Sequence, residues 1–195
     1  MHASSYRHMQ QLVDQHLAGR AGLRIADLGS QDVNGSYRPL FERPGWQYVG
    51  IDLAAGNNVD IVLASAYRLP LATGSFDVVV SGQVFEHVEY FWLTWMEMAR
   101  LLKPGGLILL IAPSRGPEHR YPVDCWRFYP DGYIALAKYA GLEVLQATTD
   151  WAPAPEDDSA PWGDSVGVFR KPANESIWQR ARFALKCRIG YWLAA

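Results

Sequence analysis

Apolar residues recur along this chain in two spacings, and segments of the two kinds alternate. Short, nearly continuous apolar runs predict strands covered on both faces, and apolar residues three or four positions apart predict helices. The predicted strands are 23–28, 46–53, 60–64, 76–81, 107–112, 142–147 and 165–170. The predicted helices are 4–17, 37–42, 90–102, 130–140 and 175–192. Ser4 or Ser5 is predicted to cap the first helix, and Asn174 the last.

Strands that alternate with helices predict one α/β domain, residues 1–195, built on a mostly parallel sheet. We divide it into an N-terminal helix within 1–20, a core of 23–147 and a C-terminal helix within 174–192. A loop, 113–129, follows the fifth strand. Right-handed crossovers place the loops after parallel strands on one edge of the sheet, where α/β proteins bind ligands.

Two of the apolar strands end in an acidic residue. The stretch 25–30 reads Ile-Ala-Asp-Leu-Gly-Ser, and the stretch 50–53 reads Gly-Ile-Asp-Leu. A glycine turn lets the backbone approach a bound nucleoside, and an acidic side chain accepts hydrogen bonds from its ribose hydroxyls. Asp27 precedes Gly29 by two positions and no complete G-x-G-x-x-G follows, which favours S-adenosylmethionine over a nicotinamide cofactor.

Composition narrows the class of protein. With 49% apolar and 19% charged residues, the chain has the balance of an ordinary globular domain. A net charge of −2 gives no general attraction to nucleic acid, so no nucleic-acid partner is predicted. Cys125 and Cys187 are too few for a disulfide framework or a metal knuckle, which favours a reducing compartment. Because 1–20 lacks a signal-peptide pattern and no apolar run reaches about 20 residues, a cytoplasmic location is predicted.

Six short stretches, in this order and at these spacings, resemble the class I S-adenosylmethionine-dependent methyltransferases, in particular the small-molecule group of the type 11 kind. They are 25–30, 50–52, 66–71, 75–79, 83–88 and 101–107. The resemblance covers roughly residues 23–145. It implies a Rossmann-like sandwich with a seven-stranded sheet, an antiparallel last strand, helices on both faces and S-adenosyl-L-methionine as cofactor.

The resemblance also implies a set of cofactor-binding residues. The set is Asp27, Gly29, Ser30, Asp52, Leu53, Ala66, Tyr67 and Gln83. Asp27, Gly29 and Ser30 would hold the methionine end of the cofactor, and the N–H groups of this turn would face its carboxylate. Gln83 would lie beside the methionine moiety. Asp52 would accept from both ribose hydroxyls. The adenine would lie between Ala66 and Tyr67.

The chain departs from the family pattern in two places. Gln31 and Val33 stand where the family usually has glycines, so Asn34 or Gly35 is predicted to supply the positive φ of this turn. Ser65 replaces the acidic residue that usually pairs with the adenine amino group.

The loop 113–129 is the most individual part of the sequence, because it mixes arginines, aromatic residues, prolines and a histidine. Such a loop suits a polar, ring-shaped substrate. We take His119 as the general base, with Asp124 as its partner or as an acceptor for a substrate hydroxyl, and His87 as a further candidate. The alternative is a structural loop in which Asp124 pairs with Arg120 or Arg127.

These features predict an enzyme that methylates an oxygen of a small polar acceptor, preferably a sugar or a glycan or glycolipid precursor. A phenolic, polyketide-like or amine acceptor is the alternative, as is a methyltransferase-like module that binds without turnover. No metal is predicted, because Glu118, His119, Asp124 and Asp150 have no regular ligand spacing.

The C-terminal helix carries apolar residues on one face, among them Trp178, Leu185 and Trp192, with basic residues around it. Such a helix usually packs on its own domain or on a second subunit, as in a homodimer, and we favour that interpretation. The alternative is peripheral contact with a membrane surface.

Overall fold

Seven strands form one sheet in the computed structural model, which describes residues 2–152 and 161–193. The strands are β1 (Arg24–Leu28), β2 (Gln47–Asp52), β3 (Ile61–Val62), β4 (Phe76–Gly82), β5 (Leu102–Pro113), β6 (Glu143–Thr149) and β7 (Asp164–Arg170). The helices are α1 (Ala3–His16), α2 (Arg38–Phe41), α3 (Phe91–Leu101), α4 (Pro130–Ala140) and α5 (Ile177–Leu193), and a single 3₁₀ turn spans Phe85–His87.

The strand order is β3-β2-β1-β4-β5-β7-β6. Strands β1 to β5 pair in parallel, and β7 is antiparallel to both of its neighbours. The predicted Rossmann-like α/β fold with an antiparallel last strand is therefore confirmed. The order reverses between β1 and β4, which is the switch point where open α/β sheets bind ligands.

Each face of the sheet carries its own apolar core. Ile25 and Val78 pack with α1 and α2 on one face, whereas Ala26 and Val79 pack with α3 and α4 on the other. This two-sided burial explains why the central strands read as continuous apolar runs rather than as alternating ones.

The first helix is held by its serines in a way that the sequence did not predict. Ser4 and Ser5 are buried inside α1 rather than capping it, and the helix begins after His2. Ser4 Oγ donates to Asp164 Oδ2 at 2.8 Å, and Ser5 Oγ lies 2.5 Å from Tyr37 Oη. These contacts fasten α1 to the edge of the sheet where the ligand loops emerge.

The C-terminal helix packs on its own domain, but through a different face from the predicted one. Phe183, Cys187 and Tyr191 face the core, whereas the exposed fractions of Trp178 and Trp192 are 81% and 78%. The helix begins at Ile177 rather than near 175. Its cap is Ser176, not Asn174, because Ser176 Oγ accepts from Gln179 N while Gln179 Oε1 accepts from Ser176 N.

Other boundaries shift by a few residues. The first helix is 3–16, one residue earlier at each end than the predicted 4–17, and the chain turns after it at Gly19, which has φ +73°. The sheet includes residues beyond the predicted core of 23–147, because β7 (Asp164–Arg170) pairs between β5 and β6. The loop after β5 begins at 114, because Pro113 pairs with Asp164. Among the described residues no helix has the length and apolar character to cross a bilayer, and the cytoplasmic location stays a prediction.

Candidate active site

A cavity of about 440 Å³ opens at the carboxyl ends of β1, β2 and β4, a volume typical of small-molecule sites. Of the eight predicted cofactor residues, all but Tyr67 line it: Asp27, Gly29, Ser30, Asp52, Leu53, Ala66 and Gln83. The opposite wall comes from His87, His119 and the residues that follow His119. We call these two parts the cofactor end and the acceptor end.

Asp27 lies at the base of the cofactor end, in β1 and almost completely buried. The Tyr48 hydroxyl donates to its Oδ2 at 2.5 Å. Burial, with a smaller contribution from the nearby Asp52 carboxylate, raises the pKa of Asp27 to about 7 against the lowering effect of the Tyr48 hydrogen bond. A carboxyl poised near neutrality in a cleft is a typical feature of a functional site.

Asp52 ends β2 and is oriented by backbone groups. Its Oδ2 accepts from Gln31 N at 3.0 Å and its Oδ1 from Ala54 N at 3.2 Å. Each oxygen of a carboxylate accepts about two hydrogen bonds, so both retain capacity for a ligand hydroxyl. Gln31, where the family usually has a glycine, thus uses its N–H to fix this side chain.

The turn after β1 takes the positive φ at Gly29 (+81°) and at Gly35 (+120°), the latter as predicted. The N–H groups of Gly29 and Ser30 were expected to face a ligand carboxylate. Both instead donate to Ile51 O, at 2.8 and 3.2 Å, so they are engaged in joining β1 to β2.

Of two other predicted residues, Tyr67 lies outside the cavity and Gln83 lines it. Tyr67 packs on Tyr90, with ring centroids 5.4 Å apart, and does not line the cavity as Ala66 does. Gln83 lines the cavity with φ +59°, while its side-chain amide donates to Asp164 Oδ1 at 2.8 Å.

The acceptor end contains two imidazoles in edge-to-face contact, those of His87 and His119, with centroids 4.8 Å apart. His87 Nδ1 donates to Val123 O at 2.6 Å, which assigns the proton to Nδ1 and leaves a lone pair on Nε2 of the neutral ring. Burial lowers the pKa of His87, which favours that neutral form.

Asp124 is engaged by its neighbours and does not line the cavity. Both nitrogens of the Arg127 fork donate to it, at 2.5 and 2.8 Å, and His119 N donates at 2.7 Å. The Arg127 guanidinium holds the pKa of Asp124 well below its usual range. The alternative pairing of Asp124 with Arg127 is therefore the observed one, and the residue lies outside the lining of the cavity in which a substrate hydroxyl would bind. His119 Nδ1 nevertheless lies 3.3 Å from Asp124 Oδ2.

Comparison with known proteins agrees with this geometry. Residues 27–110 match a family described as a methyltransferase domain. An uncharacterized methyltransferase of Mycolicibacterium gilvum is 32% identical over 181 residues, which cover 81% of this chain and 69% of the relative. The chain belongs to the class I S-adenosylmethionine-dependent methyltransferases. S-adenosylmethionine is the cofactor of this family.

Other relatives extend the comparison. An uncharacterized methyltransferase of Mycobacterium leprae is 30% identical over 78% of this chain, which spans 62% of that relative's length. A 1,6-didemethyltoxoflavin-N1-methyltransferase of Burkholderia thailandensis, solved with S-adenosylhomocysteine, superposes with a TM-score of 0.68 at 18% identity. That match covers 87% of this chain and 79% of the other. The [4+2]-cyclase SpnF gives a TM-score of 0.67 at 16% identity, covering 87% and 82%.

The lining of the cavity has the character that this cofactor requires. Asp27 and Asp52 bring carboxylate acceptors to it, and Leu28, Ile51 and Leu63 bring apolar side chains. Both carboxylates lie in adjacent paired strands, whose register places Asp27 beside Gly50.

Three contributors to the methyltransferase cavity were missed by sequence reasoning. His2 lines the cavity, although the sequence predicted no role for it. Tyr37 also lines it, although it was assigned only to the predicted helix 37–42. Glu86 also lines it, although its side chain is fully buried, and burial raises its pKa to about 8. Ser4 and Ser5 indicate that a polar partner such as Tyr37 packs against α1, because buried hydroxyl groups need hydrogen-bond partners.

Proposed function

We propose that this chain transfers a methyl group from S-adenosylmethionine to an oxygen of a small polar acceptor. The observation that carries the proposal is that the carboxylates of Asp27 and Asp52 and the imidazoles of His87 and His119 line one cavity, together with Glu86 and His2. When bound, the cofactor supplies a methyl group that its sulfonium has already activated. The chain's own contribution is to orient both reactants, to exclude water and to handle one proton.

Asp52 is the proposed acceptor for the ribose hydroxyls, because its oxygens are held by Gln31 N and Ala54 N and keep spare lone pairs. Asp27 is the proposed partner for the charged amino group of the methionine end, since its carboxylate is almost completely buried in β1, directly before the Gly29 turn. Ser30, Leu53, Ala66 and Gln83 complete the proposed cofactor end.

His87 and His119 are the proposed catalytic residues. Their role is to activate the acceptor hydroxyl, whose proton must leave before or during methyl transfer. Asp124 is the proposed positioning residue: it holds the backbone of His119 and lies 3.3 Å from the ring nitrogen Nδ1.

The polar groups at the acceptor end support a sugar or a glycan precursor as the acceptor. Arg120 and Tyr121 line this end together with the two imidazoles, and all four offer hydrogen bonds that a polyhydroxylated ring satisfies. A phenolic or amine acceptor is the second candidate, because the superposed Burkholderia enzyme is described as an N1-methyltransferase. A methyltransferase-like module that binds without turnover is the third candidate, and it is the one favoured if the screen below yields no methylated product.

Calorimetric titration with S-adenosylhomocysteine tests the cofactor end. We expect micromolar binding by the parent chain and roughly ten- to a hundredfold weaker binding by Asp52→Ala, since a hydrogen bond to a charged group contributes about 1.5–3 kcal/mol. Asp14→Ala, which removes an exposed carboxylate on α1, serves as the matched control. Unchanged affinity in Asp52→Ala would exclude this residue from the site.

A screen for methylated products tests the acceptor end. Sugars are tested first, then phenols and amines, with His119→Gln and His87→Gln beside the parent chain. We expect each variant to lose roughly a hundredfold in kcat while binding S-adenosylhomocysteine normally, as is typical when a residue that moves a proton is removed. Turnover within a few-fold of the parent would remove both histidines from the mechanism.

A further inference from the structure

Glu86 is the buried polar side chain that the proposed function leaves unexplained. Its exposed fraction is 0%, and neither carboxylate oxygen has a hydrogen-bond partner among the described residues. A buried carboxyl without partners carries a desolvation cost of a few kcal/mol. Glu86 is also one of the residues that line the cavity, so this unpartnered carboxyl lies beside the proposed ligand space.

Two imidazoles lie beside this carboxyl. His87 Nε2 is 3.6 Å from Glu86 Oε1, and one ligand atom from each of Glu86, His87 and His119 lies within 4.8 Å of the other two. A point within about 2.8 Å of all three atoms therefore exists, and side-chain rotations of under 1 Å would bring it to metal-ligand distances of about 2.1 Å.

We propose that Glu86, His87 and His119 bind a divalent first-row transition metal ion at the acceptor end of the cavity. Two imidazoles and one carboxylate on one side of an ion leave further coordination positions open to a substrate. The two nitrogen ligands favour ions such as Mn²⁺, Fe²⁺ or Zn²⁺ over Mg²⁺ and Ca²⁺, which prefer oxygen ligands.

The surroundings of the two histidines are compatible with metal ligands. Histidines that bind metal typically direct their second nitrogen to a carbonyl or a carboxylate. His87 Nδ1 donates to Val123 O at 2.6 Å, which fixes this ring and leaves its Nε2 as the ligand. His119 Nδ1 makes no hydrogen bond among the described residues, but it lies 3.3 Å from Asp124 Oδ2, so small rotations of the ring bring it to the same kind of partner. Asp124, itself held by Arg127, is the outer partner in this arrangement.

The role of the ion rests on the proposed function, although the site itself does not. An acceptor oxygen that coordinates the ion loses its proton to solvent more readily, because the positive charge stabilises the anion. The two histidines would then activate the hydroxyl through the ion. The sequence predicted no metal, on the spacing of Glu118, His119, Asp124 and Asp150; of these four residues only His119 belongs to the proposed site.

Co²⁺ is the probe, because its visible absorption reports coordination directly. The untagged, metal-free 195-residue chain is titrated with Co²⁺ in the presence of S-adenosylhomocysteine, and Zn²⁺ binding is measured by calorimetry. We expect one equivalent to bind, at least tenfold weaker binding in Glu86→Gln and in His119→Gln, and no displacement by a hundredfold excess of Mg²⁺. His16→Gln, at the end of α1, is the matched control, and Cys125→Ser shows that no thiolate is a ligand.

Binding of S-adenosylhomocysteine by each variant shows that it is folded. The proposal is overturned if Co²⁺ does not saturate below about 1 mM, or if His119→Gln binds it as tightly as the parent chain. Saturable binding without methylation of any hydroxyl compound supports the metal site and contradicts the proposed acceptor class. Methylation that persists in the metal-free chain, with no Co²⁺ binding, supports the proposed function and overturns the metal site.

Discussion

The two ends of the cavity are built in different ways. At the cofactor end, Asp27 and Asp52 belong to paired strands, so the register of the sheet determines where their side chains lie. At the acceptor end, His87 follows β4 in a 3₁₀ turn and His119 lies in the loop 114–129. No strand pairing positions these two rings.

Hydrogen bonds between loops hold the acceptor end instead. Cys125 N donates to Glu86 O at 2.7 Å, and His87 Nδ1 donates to Val123 O. The Asp124–Arg127 pair then closes the loop on itself. The comparison teaches that cofactor binding depends on the sheet, whereas acceptor specificity depends on a few side-chain contacts that change without disturbing the fold.

The largest effect is expected at the turn between β1 and the cofactor end. In Gly29→Ala, a new Cβ lies 2.1 Å from Val84 Cγ2 and requires a positive φ of 81° from a residue other than glycine. The strain of about 1–2 kcal/mol and the clash with a cavity wall act together. We expect S-adenosylhomocysteine affinity to fall more than a hundredfold, measured by calorimetry, together with a lower free energy of unfolding.

Gly105→Ala is the matched control for that variant. Gly105 also has a positive φ, of 77°, but no atom lies within 4 Å of the added Cβ, and the residue is near the start of β5, at the other end of that strand from the loop 114–129. It therefore carries the backbone strain without the clash. Equal losses of affinity in the two variants would mean that strain alone, and not the cavity wall, decides cofactor binding.

A smaller and more selective effect is expected at the acceptor end. Asp124→Asn keeps the shape of the side chain but removes the charge that Arg127 contacts through both nitrogens. Breaking such a pair releases the loop and the ring of His119. We expect kcat/KM for the acceptor to fall about ten- to a hundredfold, while S-adenosylhomocysteine affinity changes less than twofold.

Glu118→Gln controls for the loss of a charge in the same loop. Glu118 pairs with Arg120, and both side chains are largely exposed, so this pair contributes little. Both kinetic constants are expected to stay within twofold of the parent chain. If Asp124→Asn weakens cofactor binding as strongly as it lowers kcat/KM, the two ends are coupled and the comparison above is wrong.

The contrast between the ends also explains what the sequence could predict. Asp27 and Asp52 were found because an acidic residue that ends an apolar strand has few structural uses and a fixed place in a parallel sheet. The seven strands and the antiparallel last strand followed from the resemblance. The bond of Gln31 N to Asp52 was not predictable, because it depends on the path of a turn without the usual glycines.

Predictions at the acceptor end were less complete for the same physical reason. His119 and Asp124 were chosen correctly as neighbours, but the bonds that Arg127 makes to Asp124 depend on loop geometry that no periodicity encodes. Glu86 escaped notice because its significance lies in having no partner, a property visible only after folding. The exposed face of α5 was misassigned because the helix is apolar on two sides, and the sequence does not say which side is buried.

The last expected effect is a pH dependence of stability that is specific to Asp27. The pKa of Asp27 is raised to about 7 from an ordinary value of 3.8, so the folded chain binds more protons than the unfolded chain between these values. The free energy of unfolding contributed by this group therefore falls as pH rises from about 4 to about 7, and is constant above that. Asp27→Asn should remove this part of the dependence in denaturant unfolding.

The affinity for S-adenosylhomocysteine should rise with pH, whereas the stability that Asp27 contributes falls. If Asp27 contacts the charged amino group of the cofactor, only its ionised form binds well, and the ionised fraction rises about tenfold between pH 6 and pH 8. We expect S-adenosylhomocysteine to bind several-fold more tightly at pH 8 than at pH 6 in the parent chain, and with a flat profile in Asp27→Asn. A slope that survives in Asp27→Asn would assign the titrating group elsewhere, and Glu86, whose pKa is raised to about 8, would be the next residue to replace.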